Sequence, residues 1–117
     1  MPALRVAEAR AQSPTWMYEF AWTTPQHGER LGACHYADVA FVFDTLQSEG
    51  ADWLLGSEPP QSLADSMHQT WVGFVSSGDP GWGRYTTKDR ATMVFNTQNT
   101  LVHDPHGDER QLWDGLR

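Results

Sequence analysis

LGACHYADVAFVFDTL, from Leu31 to Leu46, carries one apolar stripe and one histidine in an unusual setting. Val39, Val42, Phe43 and Leu46 recur at i, i+3, i+4 and i+7, the spacing that brings side chains to one helix face. The spacing predicts a helix over 38–46. Asp38 falls in its first turn or cap, where a carboxylate suits the positive end of the peptide dipoles. His35 then lies on the loop just ahead of that helix, with Gly32 and Ala33 leaving little bulk beside its ring.

Upstream, TWMYEFAW (15–22) alternates large aromatics with smaller residues. Trp16, Tyr18, Phe20 and Trp22 share one face at period two, and Glu19 is the only charge, so the segment reads as a strand covered on one face or both. Residues 3–12 are good helix formers and end at Ser13-Pro14, since proline disfavours helix in the residue before it. TTPQHGER (23–30) is loop-like.

Downstream, residues 47–61 also read as loop, with Gly50, Gly56, Pro59 and Pro60. SLADSMHQTWVGFVSSG (62–78) is the clearest helix. Ser62 is placed to cap it, Leu63, Met67, Trp71, Phe74 and Val75 form its apolar face, and Gly78 and Pro80 stop it. After a turn-rich GDPGWGRY, strands are predicted at 92–96 and 100–103, and a short helix closes the chain.

Composition narrows the function classes. The 117 residues suit one small unit rather than two, and six Trp demand a core or an interface. Eight Lys and Arg stand against fifteen Asp and Glu, a net charge of −7 without a basic run, which argues against nucleic acid as a partner. No apolar stretch approaches the ~20 residues that cross a bilayer, so no membrane partner is expected. One cysteine, Cys34, permits no internal disulfide and suits a cytoplasmic setting.

Of five histidines, four have ordinary settings. His27 is in a loop and His68 on the polar side of a helix. His103 and His106 flank Asp104-Pro105; two imidazoles at that spacing fall short of the three or four ligands of a stable metal site, and no cofactor is expected. Cys34 abuts His35, but adjacent side chains rarely aim at each other, so Cys34 reads as a small packing residue.

The setting of His35 resembles the histidine loop of type-B carboxylesterases and cholinesterases, a Gly-Ala-x-His-x-x-acid-x-x-Phe-Val-Phe run. The matching residues are Gly32, Ala33, His35, Asp38, Phe41, Val42 and Phe43. TWMYEFAW, TWVGFVSSGDPG (70–81), TMVFNT (92–97) and ERQLWDG (109–115) resemble further segments of that family in the same order, so the resemblance covers nearly the whole chain. It implies an α/β fold, with residues 1–117 a single C-terminal segment of an α/β-hydrolase that contains an aromatic sheet strand and a C-terminal β-hairpin. It also implies that His35 is the catalytic histidine and that small carboxylic esters are substrates once the upstream part completes the site. Asp38 matches an acidic position after the histidine, not the triad acid, and helix capping is the role expected of it.

The α/β-hydrolase order is serine, acid, histidine, with the serine in G-x-S-x-G. No G-x-S-x-G occurs in these residues. Two expectations follow. One is the C-terminal part of a carboxylic ester hydrolase, inactive alone. The alternative is a non-enzymatic association module derived from that fold. A strand and aromatic face whose sheet neighbours lie largely upstream would promote pairing, so a homo-oligomer is expected.

Overall fold

A computed structural model describes residues 2–10 and 12–116. Helix α1 spans Pro2–Ala9, strand β1 Met17–Phe20, helix α2 Ala37–Val42, α3 Ala51–Leu55 and α4 Gln61–Ser77. Strands β2 (Ala91–Phe95) and β3 (Thr100–His103) and helix α5 (Gly107–Leu112) complete the order. The expected N-terminal helix stops at Ala9, and Ala11 and Arg117, which fall in expected helical stretches, lie outside the described residues.

The sheet order is β1-β2-β3. β2 and β3 form the expected antiparallel hairpin, with Thr92 opposite Val102. β2 also pairs with β1, in parallel, with Tyr18 opposite Met93 and Phe20 opposite Phe95. The aromatic strand therefore finds one neighbour within the chain, more than seventy residues on, and β2 is central, with Ala91, Thr92 and Phe95 buried.

Helices cover both faces. On the face of Tyr18, Phe20 and Trp22 lie α2, α3 and α4. Phe41, fully buried, has its ring 5.3 Å from that of Phe20 and 5.1 Å from that of Trp22. Leu46, Leu55, Leu63, Ala64, Met67 and Phe95 complete this core. Complete burial of such side chains contributes about 1.5–3 kcal/mol each.

On the opposite face α1 and α5 flank Met17, Glu19 and Thr92 across a pocket of about 210 Å³, and are held by charge. Arg5 pairs with Glu8 at 3.1 Å, Glu8 with Arg90 at 2.8 Å, and Arg90 with Asp104 at 3.7 Å. Asp104 pairs with Arg110 at 3.0 Å, Arg110 with Asp114 at 3.2 Å, and Asp114 returns to Arg5 at 3.7 Å. Six alternating charges thus form a closed ring joining α1, the start of β2, the turn after β3, and α5. The hydrogen bond from Arg90 holds the Glu8 carboxyl below its usual range, and that from Arg110 does the same for Asp104.

Four expectations need correction. Residues 51–55 are helical, not loop: Gly50 and Gly56, both at φ 82°, bracket five residues that can wind a turn. α4 begins at Gln61 after Pro60, so Ser62 is inside the helix and no side chain caps it; Gln61 instead donates to Asp65 and Asp44. α2 ends at Val42, four residues early, and buries Ala37 and Phe41, whereas Phe43 of the expected stripe is 66% exposed. Asp38 lies in the first turn of α2 but does not cap it: its carboxylate accepts from the Tyr18 hydroxyl at 3.2 Å.

Candidate functional site

The backbone from Ala21 to Tyr36 leaves the C-terminal end of β1 and returns to start α2, and His35 is near its close. Thr24, fully buried, fastens the base. Its N–H donates to the Gly32 carbonyl at 3.2 Å, its hydroxyl donates to the Leu54 carbonyl, and the same oxygen accepts from the Gln26 N–H at 3.1 Å. Gly32, at φ 58°, supplies a left-handed backbone that glycine adopts without a Cβ clash.

Helix α3 buttresses the loop from beneath. Gly56 packs so closely that a Cβ there would lie 2.9 Å from Gln26 Nε2 and 3.3 Å from Pro25 Cγ. The unforeseen helix therefore has a purpose in positioning the His35 loop.

His35 itself is exposed. Its ring centre is 6.5 Å from that of Tyr36, and among the described residues no side chain hydrogen-bonds it. Tyr36, at φ 76°, turns the chain into α2; Ala37 N–H then donates to Cys34 C=O at 3.3 Å and Val39 N–H to Tyr36 C=O at 3.2 Å. A left-handed residue other than glycine costs about 1–3 kcal/mol and persists only where its surroundings dictate it. The result is an imidazole held out from a constrained loop beyond a strand's C-terminal end, where α/β folds gather reacting groups.

Among the described residues no serine, threonine or cysteine side chain hydrogen-bonds His35. Ser76 Oγ donates to Val72 C=O at 2.7 Å and Ser77 Oγ to Gly73 C=O at 2.8 Å, so both hydroxyls are turned back onto their own helix. Cys34 is half-buried against the core.

The other histidines have partners. His68 Nδ1 lies 2.9 Å from the Val42 carbonyl, and the His27 ring meets Trp53 edge-on at 4.8 Å. His103 Nδ1 is 3.0 Å from Asp89, while His106 Nε2 is 3.1 Å from Glu19, whose hydrogen bond raises the His106 pKa. The two imidazoles of the His103–His106 pair are thus drawn to different carboxylates. Among the described residues no three His, Cys, Asp or Glu side chains are grouped to hold a metal, and no helix is long and apolar enough to cross a membrane.

Sequence reasoning placed His35 on a loop just ahead of a helix, as observed, but missed Thr24, Tyr36 and the Tyr18–Asp38 contact. Thr24 had a signal: Thr-Pro-Gln is a turn in which the hydroxyl accepts from the N–H two residues on. Tyr36 had none, because tyrosine does not favour left-handed backbone.

Two solved structures resemble the fold over 94% of this chain: the Geobacillus stearothermophilus carboxylesterase EST55 (TM-score 0.78, 33% identity) and a thermophilic PNB esterase (TM-score 0.82, 26% identity). The architecture is that of the C-terminal portion of an α/β-hydrolase. The sequence profile of the carboxylesterase family matches residues 1–113, and the chain belongs to that family. It is 28% identical over 119 aligned residues to the para-nitrobenzyl esterase of Bacillus subtilis (strain 168), and 30% identical over 108 to the phenmedipham hydrolase of Pseudarthrobacter oxydans. These alignments cover 94% and 84% of this chain but 24% and 22% of those proteins, so the chain spans about a quarter of their length.

Proposed function

We propose that His35 is the general base of a carboxylic ester hydrolase and that this chain hydrolyses no ester at an enzymatic rate by itself. The observation that carries the reading is the exposed His35 imidazole on a fastened loop beyond β1, within a Gly-Ala-x-His run. A histidine in acyl transfer takes the proton of the nucleophile and returns it to the leaving group, so its ring must be reachable by both. Serine, acid and oxyanion donors would come from polypeptide outside these residues, and small carboxylic esters are the substrate class. In Ser-His-acid enzymes the members act as a unit, and loss of the serine alone costs on the order of 10⁶ in turnover.

The test compares the chain with its His35→Ala variant on a short-chain alkyl ester, alone and with the upstream part of an esterase supplied in trans. Neither form should turn over alone, and the mixture should show hydrolysis that His35→Ala abolishes. Saturable, His35-dependent turnover by the isolated chain would overturn the claim of inactivity. Activity of the mixture that survives His35→Ala would overturn the role of the histidine.

The second reading is a non-enzymatic association module, a homo-oligomer in the cytoplasm. It is favoured by the apolar side chains that α4 leaves exposed, among them Val72 and Val75 at 53% and 79%.

A further inference from the structure

His35 is held in place by the chain around it. Its ring is exposed, and among the described residues no side chain hydrogen-bonds it. The ring therefore goes where its backbone goes, and that backbone hangs between two anchors. Ala37, 1% exposed, opens α2 in the core just after it. Gly32, three residues before it, is held by Thr24; among the described residues no other hydrogen bond joins 31–35 to β1 or α3.

The hydroxyl of Thr24 fixes Thr24 itself. Oγ1 donates to the Leu54 carbonyl in α3 and accepts from the Gln26 N–H at 3.1 Å, while the Thr24 N–H reaches the Gly32 carbonyl at 3.2 Å. Leu55, beside Leu54, is 1% exposed, so the acceptor belongs to a helix sunk in the core. One buried residue thus ties both limbs of the loop to α3. Valine has nearly the same shape but no hydroxyl, and it would leave a buried carbonyl and a buried amide unpaired. Such groups turn toward water at the expense of the local backbone.

The rest of the loop works against order. His27, Gly28 and Glu29 follow one another in left-handed backbone, at φ 56°, 65° and 61°. Two of the three are not glycine, so the tip is strained and relaxes once its base is released. The Gly56 contact meets Pro25 and Gln26, on the outgoing limb, and not the limb that bears His35.

We propose that Thr24 is a positioning residue for His35: its hydroxyl, bridging α3 and the outgoing limb, fixes the Gly32 carbonyl and through it the imidazole. The proposal rests on the reading of His35 as general base. It places the control of that base in a fully buried side chain that cannot touch a substrate itself. A general base works only within hydrogen-bond reach of the proton it takes, and a misplacement of about 1 Å costs up to about a hundredfold in rate.

The experiment compares backbone order parameters, from amide nitrogen relaxation, in the wild-type chain, Thr24→Val and Thr24→Ser. Wild type should be rigid at 33–36, at about 0.85, and Thr24→Val should fall below about 0.6 there while the sheet and α4 stay unchanged. Thr24→Ser, which keeps the hydroxyl, should restore the wild-type values. Unaltered order at 33–36 in Thr24→Val overturns the proposal, as does an equal loss in Thr24→Ser. Thr24→Ala stands in if Thr24→Val does not fold; failure of both to fold would make Thr24 a residue of the whole fold and overturn its assignment to the loop. Catalysis is read separately, with the upstream part of an esterase supplied in trans. There Thr24→Val should lower kcat by about tenfold or more at unchanged KM, and a raised KM with unchanged kcat would count against the positioning role. A mixture without His35-dependent turnover would sink the reading of His35 and leave the order parameters to decide on Thr24.

Discussion

The Tyr18 hydroxyl donates to Asp38 Oδ2 at 3.2 Å, fastening the aromatic strand to the first turn of the helix that follows His35. Burial, and then the Asp38 carboxylate, push the Tyr18 pKa up to about 12. The folded state therefore keeps a proton that the unfolded chain gives up near ~10. This contribution is intact below ~10 and is lost as pH rises through about 12. Chemical denaturation across that window should show wild-type stability falling more steeply than that of Tyr18→Phe. Parallel curves would refute the assignment.

His106 gives a pH response at the other end of the scale. Its pKa is raised, first by the hydrogen bond to Glu19 and then by the charge of that carboxylate. A raised histidine stabilises fully below its unfolded pKa of ~6.5, and the contribution disappears as pH rises through the folded value. His106→Asn is the suitable probe, because His106 sits at φ 59° and asparagine tolerates that backbone. The melting-temperature difference between wild type and variant should be larger at acid pH than in mild alkali; a pH-independent difference would rule the ion pair out as its source.

Phe41 is the packing keystone beneath the loop, fully buried between Phe20 and Trp22. Phe41→Ala should cost about 3–5 kcal/mol, the range for a large aromatic deleted from a core that relaxes incompletely. Urea unfolding measures it, and a loss below about 1 kcal/mol would mean that the site collapses around the gap.

Tyr36 offers the reverse case. Its side chain is 63% exposed and its φ of 76° is unfavourable for any residue with a Cβ. Tyr36→Gly should leave stability unchanged or raise it by up to about 1 kcal/mol, relief of left-handed strain outweighing the entropy of glycine. Destabilisation of the same size would show that the ring makes contacts worth more than the strain.

Legibility varied with the range of the interaction. Helix α4 and the His35 loop were readable because their signals are local: an apolar repeat ended by Gly78, and a short motif around one imidazole. The parallel pairing of Tyr18 with Met93 was not, since periodicity locates a strand but not its neighbour across more than seventy residues. The Val39–Val42–Phe43 stripe shows the same limit. Its spacing correctly marks an apolar surface, yet the fully buried residues of α2 are Ala37 and Phe41, while Ala40 and Val42 reach the same core only partly buried. Residues 51–55 were lost to a count of glycines and prolines, when those glycines mark the ends of a helix and not its absence.

The ring of six charges has a consequence of connectivity. A closed circuit offers two routes between any two members, so breaking one link leaves every member still joined to the rest the other way round. Glu8 still reaches Asp114 through Arg5 if its bond to Arg90 fails, and Asp104 still reaches Arg110 if Arg90 swings away. Isolation takes two simultaneous breaks. α1 and α5, about a hundred residues apart in sequence, are therefore each moored by two links, α1 through Arg5–Asp114 and Glu8–Arg90 and α5 through Arg5–Asp114 and Asp104–Arg110, and share one of them.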